Sequence, residues 1–189
     1  MSRIWLTSDL HLGHDRDFIW RARGFNSIEE HDETIIKNWN ELVSPDDTVY
    51  CLGDLMLNDN AGGVRKLNQL TGNIRILYGN HDTSTRIQLY NNIRPTIFGY
   101  GLAYLLRHGG YNFYLSHYPT MTSNLDGDKP LKQRLINLCG HVHTQDKFKD
   151  MDKGLIYHVE LDANNMKPVL LDDIIKDIKE YIEERKNNE

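Results

Sequence analysis

The chain has 189 residues, of which 39% are hydrophobic and 26% are charged, and its formal net charge is -5. This length suits one compact domain that buries its own core, and the composition is typical of a globular protein rather than a disordered one. The acidic balance argues against a protein that coats nucleic acid, because phosphate-backbone affinity needs clustered Lys and Arg. We therefore expect a single domain over residues 1–189 that binds a small molecule and presents no extended nucleic-acid surface.

The sequence also indicates where the protein resides. No apolar run approaches the roughly 20 residues that a membrane span needs, and the N-terminus lacks the apolar core of a signal peptide. We expect a cytoplasmic protein without a membrane partner, and the sequence does not indicate its oligomeric state. Cys51 and Cys139 are the only cysteines, and both are predicted to be reduced thiols in the core.

Alternating strand-like and helix-like segments follow along the chain. Short apolar or β-branched runs predict strands at residues 3–8, 48–52, 74–78, 102–107, 111–116 and 135–139. Helices are predicted over residues 28–43, behind the capping-box pair Ser27 and Glu30, and more weakly over residues 55–70 and 83–91. A one-sided apolar stripe predicts a C-terminal helix over about residues 171–187. Gly109-Gly110 predicts a hairpin turn, and the aperiodic stretch 119–132 is a candidate lid.

Metal-binding residue types come directly after several of these strands. The motifs are Asp9-Leu10-His11, Gly53-Asp54, Gly79-Asn80-His81-Asp82, His117 and Gly140-His141-Val142-His143. Ligands gather at the carboxyl ends of strands in α/β sheets, and glycine at these junctions allows the backbone to approach an ion closely. Each motif alone has a commonplace reading as a loop cap or a tight turn. Together they predict a metal centre.

The ordered set of motifs resembles the calcineurin-like metallophosphoesterase superfamily, and it is similar to a small bacterial and phage-type subgroup with single minimal domains. The resemblance covers about residues 3–162. It implies an α/β fold, a four-layer α/β/β/α sandwich of two mixed sheets flanked by helices. It also implies that one divalent ion is held by Asp9, His11, Asp54 and His143, and a second by Asn80, His117, His141 and the shared Asp54.

The chemistry of these side chains suits the implied activity. Imidazole nitrogens with carboxylate and amide oxygens favour first-row ions, so the expected cofactor is two Mn²⁺ ions, with Fe²⁺, Zn²⁺, Ni²⁺ and Co²⁺ as alternatives. Two such ions bind phosphoryl oxygens and activate a shared water to hydroxide, which attacks phosphorus. The predicted reaction is hydrolysis of a phosphate ester, with a small nucleotide-like phosphodiester as the expected substrate.

The remaining motif residues are assigned to the leaving group and the substrate. His81 is the candidate general acid, with Asp82 expected to orient and charge its imidazole, and the alternative is a structural histidine. His14, Asn80 and His81 are candidates for substrate contact, although a loop histidine on the surface is an equal reading of His14.

Other residues have less specific expectations. His31, on the first long predicted helix, is expected to be solvated. Six cationic residues on or near candidate loops are considered for contact with phosphate or a base, with solvated surface charge as the favoured interpretation of each: Arg16, Arg21, Arg23, Lys129, Lys132 and Arg134. Trp20 is expected either to stack on a base or to pack in the core.

Alternative functions are distinguished by the residues next to these motifs. Phosphoprotein phosphatases extend the Gly-Asp motif with Asp-Arg-Gly, whereas in this chain Leu-Met-Leu-Asn follows it at residues 55–58. They also usually have Glu after Gly-Asn-His, where this chain has Asp82. A phosphomonoesterase, including a phosphoprotein phosphatase, is therefore the second choice. A nuclease lacks support because no basic stretch is present. A non-catalytic binding scaffold is disfavoured because the ligand set and His81 are intact.

Overall fold

The structure is a computed structural model that describes residues 2–91, 93, 97–99, 101–122 and 128–187. The strands are β1 (Ile4–Thr7), β2 (Thr48–Cys51), β3 (Asn73–Ile76), β4 (Ile97–Gly99), β5 (Ala103–His108), β6 (Tyr111–Ser116), β7 (Leu135–Cys139), β8 (Ile156–His158) and β9 (Val169–Leu170). The helices are α1 (Asp17–Trp20), α2 (Ile28–Leu42), α3 (Asn60–Leu67), α4 (Ser84–Tyr90) and α5 (Leu171–Lys186).

These strands form two sheets, with the orders β4-β3-β2-β1-β9 and β5-β6-β7-β8. Strands β1 to β4 are parallel, because α2, α3 and α4 return the chain to the same end of the sheet between consecutive strands. Strand β9 is antiparallel to β1, and β5 is antiparallel to β6, whereas β6, β7 and β8 are parallel. Both sheets are mixed and flanked by helices, which confirms the predicted fold class.

The first sheet is buried on both faces. In β1, Trp5 joins a core under α2, to which Ile35 and Trp39 contribute, whereas Leu6 joins the core shared with the second sheet and α5. Successive side chains of a strand point to opposite faces, so an apolar run without alternation is what burial on both faces requires.

The predicted strands correspond to β1, β2, β3, β5, β6 and β7, with bounds within two residues. Gly109 and Gly110 form the turn between β5 and β6, with φ angles of 57° and 83° that favour glycine. Strands β4, β8 and β9 have only two or three residues each. Segments this short show no period, which is why the sequence does not predict them.

The predicted helix over residues 55–70 is wrong in its first part, because α3 begins only at Asn60. Residues 55–57 instead extend alongside the loop that follows β1: the Leu12 amide donates to Leu55 O at 3.0 Å, and the Leu57 amide donates to Leu12 O at 3.0 Å. Helix α3 starts where the Asp59 side chain accepts a hydrogen bond from the Gly62 amide at 2.9 Å.

Other expectations have clear outcomes. Helix α2 begins as predicted, with Ser27 Oγ accepting from the Glu30 amide at 3.1 Å, and α5 lies where the C-terminal helix is predicted. Both cysteines are buried free thiols. No helix among the described residues has the length and apolarity needed to cross a bilayer. Residues 123–127 of the candidate lid lie outside the described part of the chain.

Candidate metal centre

The metal-ligand residue types lie beyond the carboxyl ends of strands in both sheets. Asp9 and His11 follow β1, Asp54 follows β2 and Asn80 follows β3, whereas His117 follows β6, and His141 and His143 follow β7. Strands β1, β2 and β3 are parallel to one another, and so are β6 and β7. The carboxyl ends of these strands therefore lie side by side within each sheet. The seven side chains expected as ligands are thereby brought together.

One cluster of ligand atoms lies on the side of β1. His11 Nε2 and His143 Nε2 are 3.1 Å apart, and Asp9 Oδ1 lies 3.7 Å from the former and 3.6 Å from the latter. Atoms bound to one ion at about 2.0–2.2 Å are separated by roughly 3 Å. These three atoms therefore have the spacing of a shared ligand set.

A second cluster lies on the side of β3. His117 Nε2 is 2.8 Å from Asn80 Oδ1 and 3.1 Å from His141 Nδ1, and the latter two atoms are 3.0 Å apart. Asp54 lies between the clusters, with Oδ2 at 3.6 Å from His117 Nε2. Asp9, Asp54 and His117 offer ligand atoms within 4.8 Å of one another. The ligand-type atoms therefore form two adjacent clusters, and Asp54 lies close to residues of both.

The carboxylates of the centre fit a cation. Asp9 is fully buried, and its Oδ1 has no hydrogen-bond partner among the described residues, which is costly for a buried oxygen unless an ion is its partner. Burial, and then the negative charges of Asp9 and Asp82, raise the pKa of Asp54 to about 7. A cation lying between Asp9 and Asp54 would neutralise this repulsion.

The backbone of the centre is in an uncommon conformation. Five of the expected ligands have positive φ: Asp9 (58°), His11 (52°), Asp54 (57°), His141 (74°) and His143 (50°). Residues other than glycine adopt this region rarely, and such strain is concentrated at functional sites. The loops at the strand ends are thus shaped to turn these side chains inward.

Two glycines leave the space that the ligands occupy. A Cβ on Gly140 would lie 2.4 Å from Asp9 Oδ2, and a Cβ on Gly79 would lie 2.3 Å from Asp54 Oδ1. The sequence predicts this close approach from the position of each glycine directly before a ligand motif.

Hydrogen bonds fix which nitrogen of each histidine faces the centre. His117 Nδ1 donates to Leu52 O at 2.7 Å, so its Nε2 presents a lone pair to the second cluster. His11 Nδ1 lies 3.1 Å from His14 Nδ1, so that His14 Nδ1 accepts a hydrogen bond from His11 Nδ1 when His11 Nε2 acts as a ligand. A fixed tautomer of this kind is characteristic of metal-binding histidines. Burial lowers the pKa values of His11 and His14 to about 4, which keeps both rings neutral.

His143 is held by a buried ion pair that the sequence does not indicate. Its Nδ1 lies 3.1 Å from Asp162 Oδ2, which also accepts from Arg23 Nη2 at 2.7 Å. The same Arg23 nitrogen donates to Asp9 O at 2.8 Å. Although burial lowers the pKa of His143, the hydrogen bond to Asp162 and the charge of Asp9 outweigh this effect and raise it.

The expectations for Arg23 and His31 are wrong. The Arg23 side chain is 1% exposed rather than solvated, and its Nη1 contacts His31 Nε2 at 2.9 Å. His31 is fully buried, and its Nδ1 contacts Asp32 Oδ1 at 2.7 Å. Asp32 in turn accepts from the Gly13 amide at 2.9 Å. Through Asp32 and Arg23, these side chains bond the backbone of the loop after β1 at Gly13 and Asp9, which explains their burial.

The expected contact between Asp82 and the His81 ring is also corrected. Asp82 Oδ2 accepts from the backbone amides of Asp54 and Gly79, both at 2.8 Å, and Oδ1 accepts from the Tyr90 hydroxyl at 2.5 Å. Asp82 thus joins the loops after β2 and β3. It acts on His81 only through its charge, and burial and the nearby Arg86 outweigh that charge and lower the pKa of His81.

A cavity of 490 Å³ opens above the two clusters. His81 and His14 line it, and the His81 ring centroid lies 5.8 Å from that of His11 and 6.3 Å from that of His14. Trp20 is buried and packs in the interior, whereas its neighbour Phe18 lines the cavity and is 69% exposed. The expectation that Trp20 packs in the core is thus confirmed, whereas the sequence does not single out Phe18.

A fold of two mixed sheets with these ligand types at its strand ends is that of a metallophosphoesterase, a hydrolase of phosphate esters. The chain belongs to the calcineurin-like phosphoesterase superfamily, because the sequence model of that superfamily's domain matches residues 3–159.

Relatives of known sequence occur in an archaeon and in phages. The chain is 34% identical over 181 residues to an uncharacterised protein of Methanocaldococcus jannaschii, with 93% of this chain and 91% of that protein covered. It is 33% identical over 195 residues to the gene 66 protein of Mycobacterium phage D29, with 86% and 89% covered. These relatives agree with the small single-domain subgroup that the motifs resemble.

Solved structures share the fold. A protein of unknown function from Aquifex aeolicus superimposes with a TM-score of 0.71 at 22% identity, covering 93% of this chain and 99% of that chain. An archaeal phosphodiesterase superimposes with a TM-score of 0.52 at 16% identity, covering 89% and 99%. At these identities the likeness concerns the fold alone.

Proposed function

We propose that the protein is a phosphodiesterase for small nucleotide-like substrates and that it uses two divalent ions. The observation that carries this proposal is the pair of adjacent ligand clusters around Asp54, with the buried Asp9 Oδ1 lacking a hydrogen-bond partner among the described residues. Asp9, His11 and His143 would hold one ion. Asn80, His117 and His141 would hold the other, with Asp54 shared.

Divalent ions held by these residues would supply positive charge for the phosphoryl oxygens and would activate a water as the nucleophile. The residues of this chain supply the rest of the reaction. The hydrogen bonds to Leu52 O and Asp162 orient His117 and His143, and Asp82 ties together the loops that carry Asp54 and Asn80. A centre fixed before the substrate arrives needs little reorganisation during the reaction.

The charge of the cavity supports a diester rather than a monoester. No Arg or Lys occurs among the described residues that line it, and Arg23 behind it is committed to Asp162. A phosphodiester carries one negative charge, whereas a monoester dianion carries two and gains more from additional cationic side chains. The cavity volume also exceeds what a phosphate group needs and lies in the range of small-molecule sites.

His81 is proposed as the residue that protonates the leaving oxygen. Its backbone is fixed by a 2.9 Å bond from its amide to Asp54 Oδ1 and by a 2.6 Å bond from Arg86 to its carbonyl oxygen. Its ring lines the cavity next to His11. An anionic substrate favours the protonated form of an adjacent imidazole, which offsets the effect of burial on the pKa of His81.

The test is hydrolysis of bis(p-nitrophenyl) phosphate and of p-nitrophenyl phosphate by the purified protein with Mn²⁺. We expect the diester to have the higher kcat/KM, and Asp54→Asn to abolish both activities. The matched control is Asp46→Asn, which makes the same change at an exposed carboxylate and should retain full activity. A protein that binds Mn²⁺ but hydrolyses no ester would contradict the proposal, and preference for the monoester would make it a phosphomonoesterase.

The role of His81 is tested by its replacement with Ala. We expect kcat for an alkyl phosphodiester to fall by roughly 10²–10⁴-fold, the range expected of a general acid. The loss on a nitrophenyl ester should be far smaller, since nitrophenolate departs without a proton. Equal losses on both esters would show that His81 has a structural role instead.

A further inference from the structure

The cavity has an apolar wall that the proposed chemistry does not use. Phe18, Ile19 and Ala22 line it, together with five residues expected as ligands: His11, Asp54, Asn80, His141 and His143. With 69% of its surface exposed, Phe18 is a large aromatic side chain that the fold leaves accessible. An apolar surface next to convergent polar groups in one cavity is the usual composition of a small-molecule site.

The wall is fixed relative to the metal centre. In α1, Ile19 and Trp20 are buried, at 8% and 7% exposure, so the Phe18 backbone is anchored in the core. Just after this helix, Arg23 donates to Asp9 O at 2.8 Å and to Asp162 at 2.7 Å. The polypeptide that carries Phe18 is therefore joined directly to a residue of the centre.

A hydrogen-bond donor lies between the wall and the centre. The His14 ring meets the Phe18 ring edge-on, with centroids 5.8 Å apart and an interplanar angle of 88°. If His11 Nε2 is a metal ligand, His11 Nδ1 donates to His14 Nδ1, and the His14 ring then carries its own proton on Nε2. The cavity thus presents, in order, cation ligands, a polar donor and an aromatic ring.

We infer that Phe18 is the stacking surface for a nucleobase of the substrate, with the phosphoryl group at the metal centre and the sugar near His14. The inference rests on the proposed function, since it is that substrate whose base is bound. The exposed part of the wall is one aromatic ring beside the small Ala22, which matches a planar ring rather than an extended acyl chain. Every base has a π-face, so stacking would give affinity for nucleotides without strong preference among bases.

The experiment compares three ligands that share a phosphoryl group: adenosine monophosphate, ribose 5-phosphate and inorganic phosphate. Their dissociation constants are measured by calorimetry with the Mn²⁺-loaded protein and with Phe18→Ala, Phe18→Leu and Phe18→Trp. The control is Leu105→Ala, which truncates a side chain that is 66% exposed and lines a different cavity.

We expect Phe18→Ala to weaken binding of adenosine monophosphate by roughly 5-fold to 100-fold, the range found for loss of one base–aromatic stack. Binding of phosphate and ribose 5-phosphate should change less than about 2-fold, Phe18→Trp should retain the affinity, and Phe18→Leu should lose most of it. The inference is overturned if the wild type binds adenosine monophosphate no more tightly than ribose 5-phosphate, or if Phe18→Ala weakens all three ligands equally.

Failure of this inference differs from failure of the proposed function. If the protein hydrolyses nucleotide diesters equally well with and without the Phe18 ring, the stacking role is rejected and the phosphodiesterase activity stands. If nucleotide binding depends on Phe18 but the protein hydrolyses no ester, the phosphodiesterase activity is rejected and the binding site stands.

Discussion

Single residues behind the ligands decide how the centre is built. Arg23 and Asp162 are separated by 139 positions in sequence, yet they form one buried pair that holds His143 and the Asp9 carbonyl. No local sequence pattern identifies either residue, because the sequence around a charged residue does not show whether its side chain is exposed to solvent or buried in an ion pair. The seven positions expected as ligands, by contrast, carry a signal in their types and their spacing. Sequence therefore predicts which side chains meet but not what orients them.

The effect of Asp162 on the centre can be measured with Asp162→Asn, which removes the charge but keeps the shape. His143 then loses a charged acceptor for its Nδ1 proton, so we expect Mn²⁺ affinity to fall by roughly 10-fold to 100-fold. Most of the activity should return when Mn²⁺ is added in excess. Metal affinity is followed by calorimetry and activity by diester hydrolysis across a Mn²⁺ titration.

The matched control is Asp177→Asn, because Asp177 also bonds a cation and a ring hydroxyl, Lys147 at 2.7 Å and Tyr157 at 2.8 Å, but lies on α5. It should leave Mn²⁺ affinity unchanged. If Asp162→Asn also leaves affinity unchanged, Asp162 stabilises the fold and has no influence on the centre.

At the scale of elements, the strand ends were the most predictable part of the molecule. A buried strand followed by a metal-binding residue type is visible in sequence, and the bounds of β6 and β7 agree with the prediction to the residue. Strand β8 is different: His158 is buried within it, paired with Asp150 at 2.9 Å and with Glu160 at 3.2 Å. A short segment that contains a histidine is not predicted to be a core strand. The burial of His158 depends on its pairing with Asp150 and Glu160, which is visible only in the structure.

The junction of β7 with its ligand loop gives a second prediction. A Cβ on Gly140 would lie 2.2 Å from Ser8 Oγ and 2.4 Å from Asp9 Oδ2, the oxygen that accepts from the His141 amide. Gly140→Ala must therefore separate the loops after β1 and β7, at a cost of about 1–3 kcal/mol in the free energy of unfolding. We expect loss of Mn²⁺ binding and of diester hydrolysis, measured together with chemical denaturation.

A comparison with Gly109→Ala separates displacement of ligands from general destabilisation. Gly109 has a positive φ of 57° in the β5–β6 turn, and a Cβ there meets only Tyr111, at 3.7 Å. This variant should be destabilised by backbone strain while it keeps Mn²⁺ affinity and activity. Normal Mn²⁺ binding by Gly140→Ala would mean that the loops can move apart without harm to the centre.

At the scale of the molecule, the centre lies between the two sheets. Asp9, Asp54 and Asn80 extend from the first sheet, and His117, His141 and His143 extend from the second. Each ligand cluster takes side chains from both sheets, so each ion would link them. The composition of both clusters is what the resemblance to the superfamily implies, and the structure brings the same residues together. That the sheets share a core with α5 depends on packing and emerges only from the structure.

Ions that join two sheets should stabilise the whole fold, since they bind the native state and not the unfolded chain. At a free Mn²⁺ concentration 100-fold above its dissociation constant, one site contributes about 2.7 kcal/mol. With about 2–4 °C per kcal/mol for a chain of this size, we expect Mn²⁺ to raise Tm by roughly 5–10 °C over the chelated protein. Phe18→Ala, outside both clusters, should show the same rise.

Asp54→Asn tests this prediction most directly, because its effect on Tm in chelator and its effect on the Tm rise with Mn²⁺ can be measured separately. Burial and the carboxylates of Asp9 and Asp82 raise the pKa of Asp54 to about 7, so its charge opposes folding when no cation compensates it. The variant should therefore melt no lower than the wild type in chelator, and its Tm should hardly respond to Mn²⁺. A rise equal to that of the wild type would show that the ions bind elsewhere. A lower Tm of the variant in chelator would contradict the prediction and show that the Asp54 carboxylate stabilises the fold rather than opposing it.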